Sequence, residues 1–229
     1  MDNDIYKDGW NNINSYIFGW IMSDGCLRKE GRNKTSYAVR ITSNDKDIIE
    51  WLHSQLCIGN KIYKVGEKGF QVKYRNKESI EFMRDNGLKE RKSLDMLLPN
   101  IPNEYFGDFL RGYFDGNGSV VLRYTQYNTY AQISFTSGSS QFVDGLQDKL
   151  FTLGIKSHVY KDGRINNSSY CLKVIKRSEI EKLFKVMYQT SNQESRLKRK
   201  YEKYKLYLDC KPKYKIVKPY DIVWPYGKP

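Results

Sequence analysis

Hydrophobic positions along this chain change period in a fixed order, and the order runs through twice. The stretch "YIFGWIM" (16–22) is apolar on every side and stops at an S-D-G step, which predicts a buried helix ending near Asp24. Two strands follow, with Tyr37, Val39 and Ile41 alternating on one parity. Ile48, Ile49, Leu52 and Leu56 then recur at helical spacing over 46–57, "KIYKV…FQVKY" (61–74) reads as a second strand pair, and 77–87 as a closing helix. The second pass puts a helix over 109–118 and strands carrying Ala131, Ile133 and Phe135. A helix over 140–153 with Phe142, Val143, Leu146 and Leu150 comes next, then a strand pair over 157–175 and a helix over 177–189.

The order α-β-β-α-β-β-α, twice, with antiparallel hairpins and helices on one face, predicts an α+β fold. It divides the chain into a first repeat (1–97), a linker (98–107) with Pro99 and Pro102, a second repeat (108–205) and a tail (206–229) too broken by proline for a helix, read as extended.

The repeat holds residue by residue. "YIFGWIMSDG" (16–25) lies over "FLRGYFDGNG" (109–118) at an offset of 93, pairing Gly19 with Gly112, Ser23 with Gly116, Asp24 with Asn117 and Gly25 with Gly118. Downstream the offset is 94, pairing Thr42 with Thr136, Ser43 with Ser137, Leu52 with Leu146 and Leu56 with Leu150. The R-K step of "LKERK" (88–92) matches that of "RLKRK" (196–200), which pairs Lys92 with Lys200. Gly19 and Ser23, like Gly112 and Gly116, are four apart on one helix face. A helix-interior glycine costs about 1 kcal/mol against alanine, so the recurrence argues for two helix backbones in close approach. Packed in parallel, they would bring residues 24 and 117 out together at one end.

Charge then narrows the class. Of the 229 residues 39 are basic and 26 acidic, a net charge of +13, which points to a polyanion partner and most simply to nucleic acid. The four cysteines show no C-x-x-C spacing and the two histidines lie near none of them, so zinc is not expected and a catalytic metal would be held by oxygen ligands. Such ligands favour Mg²⁺, with Ca²⁺ or Mn²⁺ able to take its place. No apolar run approaches the roughly 20 residues that span a bilayer, and the start "MDNDIYKDGW" is too acidic and polar for a signal peptide. The expected setting is the cytoplasm or an organellar matrix rather than outside the cell.

"IFGWIMSDG" (17–25) and "LRGYFDGNG" (110–118) resemble the two motifs of a single-chain LAGLIDADG homing endonuclease. The first is the looser match, with Met22 where the family often has an acid. The resemblance covers about residues 10–205. It implies a site-specific DNA endonuclease of intron or intein type, a monomer whose two sheets form a saddle on double-stranded DNA and whose motif helices meet between them. It implies metal binding at Asp24 and at position 117, with Ser23 and Gly116 beside them, and catalytic roles for Asp24, Asn117, Lys92 and Lys200. Asn117 departs from the pattern. An asparagine is nearly isosteric with aspartate but lacks its charge, so an inactivated or single-strand-cutting form is expected. The same fold without cleavage, as a DNA-binding regulator or an RNA maturase, is the alternative; no added helix-turn-helix segment supports the regulator.

Strand parity nominates the DNA contacts. In the first repeat they are Arg28, Arg32, Arg40 and Thr42, with Lys73 and Arg75 on a later strand. In the second they are Arg123, Gln132, Ser134 and Thr136, with Lys161, Arg164 and Lys173. Arginine and glutamine suit guanine and adenine edges, lysine suits phosphates. The repeats differ at paired positions (Arg40 against Ser134, Ala38 against Gln132), so an asymmetric site is expected.

Overall fold

Asn11 opens the first helix, α1 (Asn12–Asp24), with a capping box: its side chain accepts from Asn14 N–H while the Asn14 side chain accepts from the Asn11 backbone. The computed structural model describes residues 2–31, 36–56, 61–125, 128–162, 169–190 and 195–210. β1 (Gly25–Glu30) and β2 (Ser36–Ser43) follow α1, then α2 (Lys46–Leu56), β3 (Tyr63–Val65), β4 (Gly69–Tyr74) and α3 (Lys77–Asp85). A 3₁₀ turn over Lys92–Leu94 closes the first repeat. The second repeat runs α4 (Phe106–Asn117), β5 (Gly118–Tyr124), β6 (Thr129–Ser137), α5 (Ser140–Thr152), β7 (His158–Asp162), β8 (Ser169–Val174) and α6 (Arg177–Tyr188), and α7 (Lys198–Asp209) ends it.

Each repeat makes one antiparallel four-stranded sheet, in the orders β1-β2-β4-β3 and β5-β6-β8-β7. The register is the same in both: Gly25 faces Ile41, and Gly118 faces Phe135. Inward parity is apolar, with Leu27, Val39, Ile41, Val72 and Tyr74 in the first sheet and Val120, Ala131, Ile133, Phe135, Leu172 and Val174 in the second, all buried. The amphipathic helices α2 and α5 lay their predicted stripes on this face. α1 needs no polar face, because Asn14 to Met22 are buried throughout between the two halves. Among the described residues no helix is long and apolar enough to cross a membrane.

Three expectations change. The linker (98–107) gives its last two residues to α4, which starts at Phe106. The boundary at 205/206 falls inside a helix, since α7 continues to Asp209; only 211–229 of the expected extended tail remain outside it, beyond the described residues. Tyr201, Tyr204 and Leu208 pack α7 on the core at helical spacing, a signal that its lysines disguise. Lys161 pairs with Tyr170, which pairs with buried Ser137, so it sits on the helix-side parity and not the open one. The β7–β8 register decides this, and one residue of slip inverts every face assignment.

Candidate functional site

α1 and α4 pack in parallel, backbone against backbone. A Cβ added at Gly19 would lie 2.1 Å from the Phe109 carbonyl oxygen, and one at Gly112 would lie 2.0 Å from that of Tyr16. One turn on, a Cβ at Gly116 would meet Ser23 Oγ at 1.8 Å. No side chain larger than hydrogen fits at these positions while the helices stay this close. Their C-terminal ends are therefore side by side, and the partial negative charge of both ends converges on one spot.

Asp24 and Asn117 are the last residues of these helices. Asp24 is exposed and Asn117 half-buried. The Asn117 amide nitrogen donates a long hydrogen bond, 3.5 Å, to the Ser23 carbonyl across the interface. Loss of water around Asp24 raises its carboxyl above the usual range, opposed by the positive charges of Lys200 and Lys92.

Neither lysine is the solvated surface residue its flanking sequence suggests; each is 7% exposed. Lys200 Nζ donates to the carbonyls of Phe114 (2.8 Å), Asp115 (2.7 Å) and Gly116 (3.3 Å) and so caps the C-terminus of α4. Lys92 Nζ donates to the Gly25 carbonyl at the end of α1. Burial pushes Lys200 down to about 8, against the pull of the Asp115 carboxylate. Burial lowers Lys92 as well, opposed by Cys26 and Asp24. Arg91 reaches the left-handed region (φ 55°) as the chain enters the 3₁₀ turn that delivers Lys92.

Asp115 was not among the expected site residues. It is 1% exposed, and its Oδ2 accepts from the Tyr16 hydroxyl (2.8 Å) and from Leu197 N–H at the start of α7 (2.8 Å). Burial pushes it up to about 6. The acid from α4 thus caps α7 while Lys200 from α7 caps α4, a reciprocal arrangement that needs both helices in place. The charged stripe Asp108, Arg111, Asp115 on an otherwise apolar helix was the signal available in the sequence.

The oxygens carried by the two helix ends are the Asp24 carboxylate, the Asn117 side-chain oxygen and the Ser23 and Gly116 carbonyls, the last two already accepting from Asn117 and Lys200. They are hard oxygens that fit a divalent cation such as Mg²⁺, with a single carboxylate among them. Among the described residues no three His, Cys, Asp or Glu side chains gather to hold a metal.

The open sheet faces flank this centre. On the first, cross-strand pairing lines up Arg28 with Ala38, Arg40 with both Cys26 and Lys73, and Thr42 with Gln71; Gln71 Nε2 donates to Thr42 Oγ1 at 2.8 Å. Arg75 extends the Lys73 row. On the second, Arg123 pairs with Tyr130, and Ser134 with both Ser119 and Lys173; Gln132 and Thr136 share their parity. Sequence parity missed Glu30, which stands on the open face of β1 in the Arg28 row, and the aromatic Tyr160, over which Lys173 Nζ sits at 4.5 Å. Arg32 and Arg164 lie outside the described residues.

Residues 105–187, most of the second repeat, match the family of LAGLIDADG-like domains. The chain is similar to a probable translation initiation factor IF-2 of Methanocaldococcus jannaschii, 24% identical over 216 residues that make up 86% of this chain but 17% of that protein. A second such factor, from Thermococcus kodakarensis, is 27% identical over 64% of this chain and 12% of its own length. Among solved structures, mesophilic variants of the homing endonuclease I-DmoI superpose with a TM-score of 0.57 at 17% identity, over 79% of this chain and 97% of theirs. The meganuclease I-SmaMI bound to uncleavable DNA gives 0.57 at 14% identity, over 86% and 91%. The fold, two repeats each with a four-stranded antiparallel sheet, is that of the LAGLIDADG homing endonucleases.

Proposed function

We propose that this chain is a monomeric, site-specific endonuclease of double-stranded DNA in which Asn117 restrains cleavage. One observation carries the reading: Asp24 and Asn117 end two parallel helices in contact, and a buried lysine is fastened to the backbone at each helix end. The open sheets on either side supply the DNA contacts, with Arg28, Arg40, Thr42, Lys73 and Arg75 on one and Arg123, Gln132, Ser134, Thr136 and Lys173 on the other. Their unlike chemistry calls for a long asymmetric duplex. A match over most of this chain to a small part of each of two much longer factors is what an element housed within a host protein would produce.

Asp24, Asn117, Ser23 and Gly116 would hold the divalent cation. Such an ion supplies Lewis-acid polarisation of the phosphate and a water of lowered pKa. The chain's own groups do the rest. Lys92 spends one of its three N–H groups on the Gly25 carbonyl, and the other two would order a water beside the phosphate. Lys200, pushed down to about 8 but with its three N–H groups on the α4 carbonyls, keeps its positive charge beside the site at neutrality. Asn117 in its present pose gives an N–H to the Ser23 carbonyl. An aspartate there could not give that bond and would add a second carboxylate to the oxygens that would hold the cation.

The test is cleavage of supercoiled plasmid in Mg²⁺, the plasmid carrying a site selected with this protein from a library of randomised duplexes. Asn117→Asp should raise linear product by about 10²-fold or more, the size of effect of one electrostatic catalytic group. Adding Asp24→Asn should remove it. An Asn117→Asp protein that cuts no better than the parent overturns the two-acid centre and leaves a DNA-binding protein that does not cleave, the reading that the amide at position 117 itself favours.

A further inference from the structure

The open face of the first sheet holds an acid around which its cations fold. Glu30 Oε1 lies 2.7 Å from Arg40 Nη2 and also pairs with Lys73, while Oε2 lies 3.3 Å from Arg75 Nε. Only 15% of the Glu30 side chain is exposed. The cross-strand neighbour of Arg40 is Cys26, not Glu30, so the arginine lies along the strands to reach its partner rather than standing off the sheet. Between them is Ala38, which is fully buried although it sits on the open face. Arg40 also leaves its Nε buried with no acceptor, a cost that the ion pair offsets. In the second repeat Arg123 occupies the place of Glu30 and Gln132 that of Ala38.

Resting on the DNA-binding reading above, we propose that Glu30 is a specificity-determining residue that holds Arg40, Lys73 and Arg75 flat over Ala38, so that they meet base edges and not phosphates. Loose cations of this kind would grip the backbone of any duplex. Gathered on one carboxylate, their charge is partly neutralised, and the guanidinium N–H groups of Arg40 and Arg75 that Glu30 does not take point in fixed directions, as bonding to guanine N7 and O6 requires. A duplex whose bases offer no acceptor there must either leave those N–H groups unpaired or break the cluster and face a bare carboxylate, and both penalise the wrong sequence. Three cations hold the Glu30 carboxyl at about 2, so the cluster persists at every pH at which the protein would meet DNA.

The experiment compares affinity for a duplex selected by the parent protein from a randomised library with affinity for a scrambled duplex, across a salt series. Glu30→Gln should bind the scrambled duplex more tightly and steepen its salt dependence by about one phosphate contact. The selected-to-scrambled ratio should fall roughly tenfold, the scale of one bidentate base contact. Glu30→Asp, which keeps the charge, should retain most of the ratio; thermal unfolding of both variants separates this from loss of fold. If the parent discriminates and Glu30→Gln does so equally, or loses affinity for both duplexes alike, the role of Glu30 is wrong while the DNA reading stands. If the parent itself does not discriminate, the DNA reading fails and this one with it.

Discussion

Ser15, Phe18 and Met22 line one flank of α1; Asp108, Arg111 and Asp115 take the equivalent places on α4. All six are buried. On the first helix the flank is packed by rings: Phe18 lies 5.5 Å from Trp10 and 6.0 Å from Phe109, and Trp10 closes on Tyr6 and Phe82. On the second it is a polar network. Arg111 pairs with Asp108 (2.7 Å), donates to the Met187 and Ser195 carbonyls and stacks on Tyr16, while Asp108 also accepts from Asn12 and Thr190. The contrast arises from how each repeat ends. The first repeat delivers Lys92 through a short turn. The second must fasten the connection from α6 to α7 before α7 can deliver Lys200, and a connection with free carbonyls and N–H groups is held by charges and donors, not by rings.

The largest expected effect breaks that network. Arg111→Met strands the buried Asp108 carboxylate and the Met187 and Ser195 carbonyls and should cost about 3–5 kcal/mol, whereas Phe18→Leu at the equivalent place should cost under about 1.5 kcal/mol. Urea unfolding of both variants decides; equal losses would mean that the two flanks do the same work.

The second prediction concerns what the helices share. Gly19→Ala and Gly112→Ala each force a methyl group onto a backbone carbonyl and should each cost about 3 kcal/mol, without the asymmetry of the flanks. A Tm for either close to that of the parent would show that the helices can separate cheaply.

The smallest effect is a pH dependence. Asp115 titrates near 6 when folded, above its ordinary value near 3.8, so the folded state binds the proton more tightly than the unfolded state does. Its contribution favours folding fully below about pH 4 and is lost as pH rises through about 6, a change of about 2–3 kcal/mol at about 1.4 kcal/mol per pKa unit. Asp115→Asn should remove this component: the stability difference between parent and variant should shift in the variant's favour between pH 4 and 6 and then level off. Met22, its counterpart, offers no titration. A difference flat across that range would show that Asp115 stays ionised when buried.

The periodicity of "IFGWIM" and "LRGYF" and the twin glycine spacing were enough to read two helices in close parallel contact, because no other arrangement repays two interior glycines. The alternation in β2 and β6 likewise placed Arg40, Thr42, Gln132 and Thr136 on the open face. Lys161 went to the wrong face because its parity depends on the register of an edge hairpin, which no local pattern records. Lys92 and Lys200 were legible as a matched pair but not as buried caps, since a lysine beside charged residues looks the same whether its amine meets water or a helix end. The charges at 108, 111 and 115 stood in plain view on an apolar helix, yet apart from the Arg111–Asp108 pair their partners lie 76 to 99 residues away.

By itself, then, the sequence determined the duplication, the α+β order, the helix contact and the convergence of Asp24 with Asn117, all of which stem from spacing within a repeat. The tertiary structure alone decided which open-face cations gather on Glu30, how Asp115 and Lys200 cap each other's helices, and how burial moves their proton affinities. Those depend on groups distant in the chain meeting at a few ångströms out of water, where Coulomb and desolvation energies vary steeply with position and sequence spacing carries no information about it.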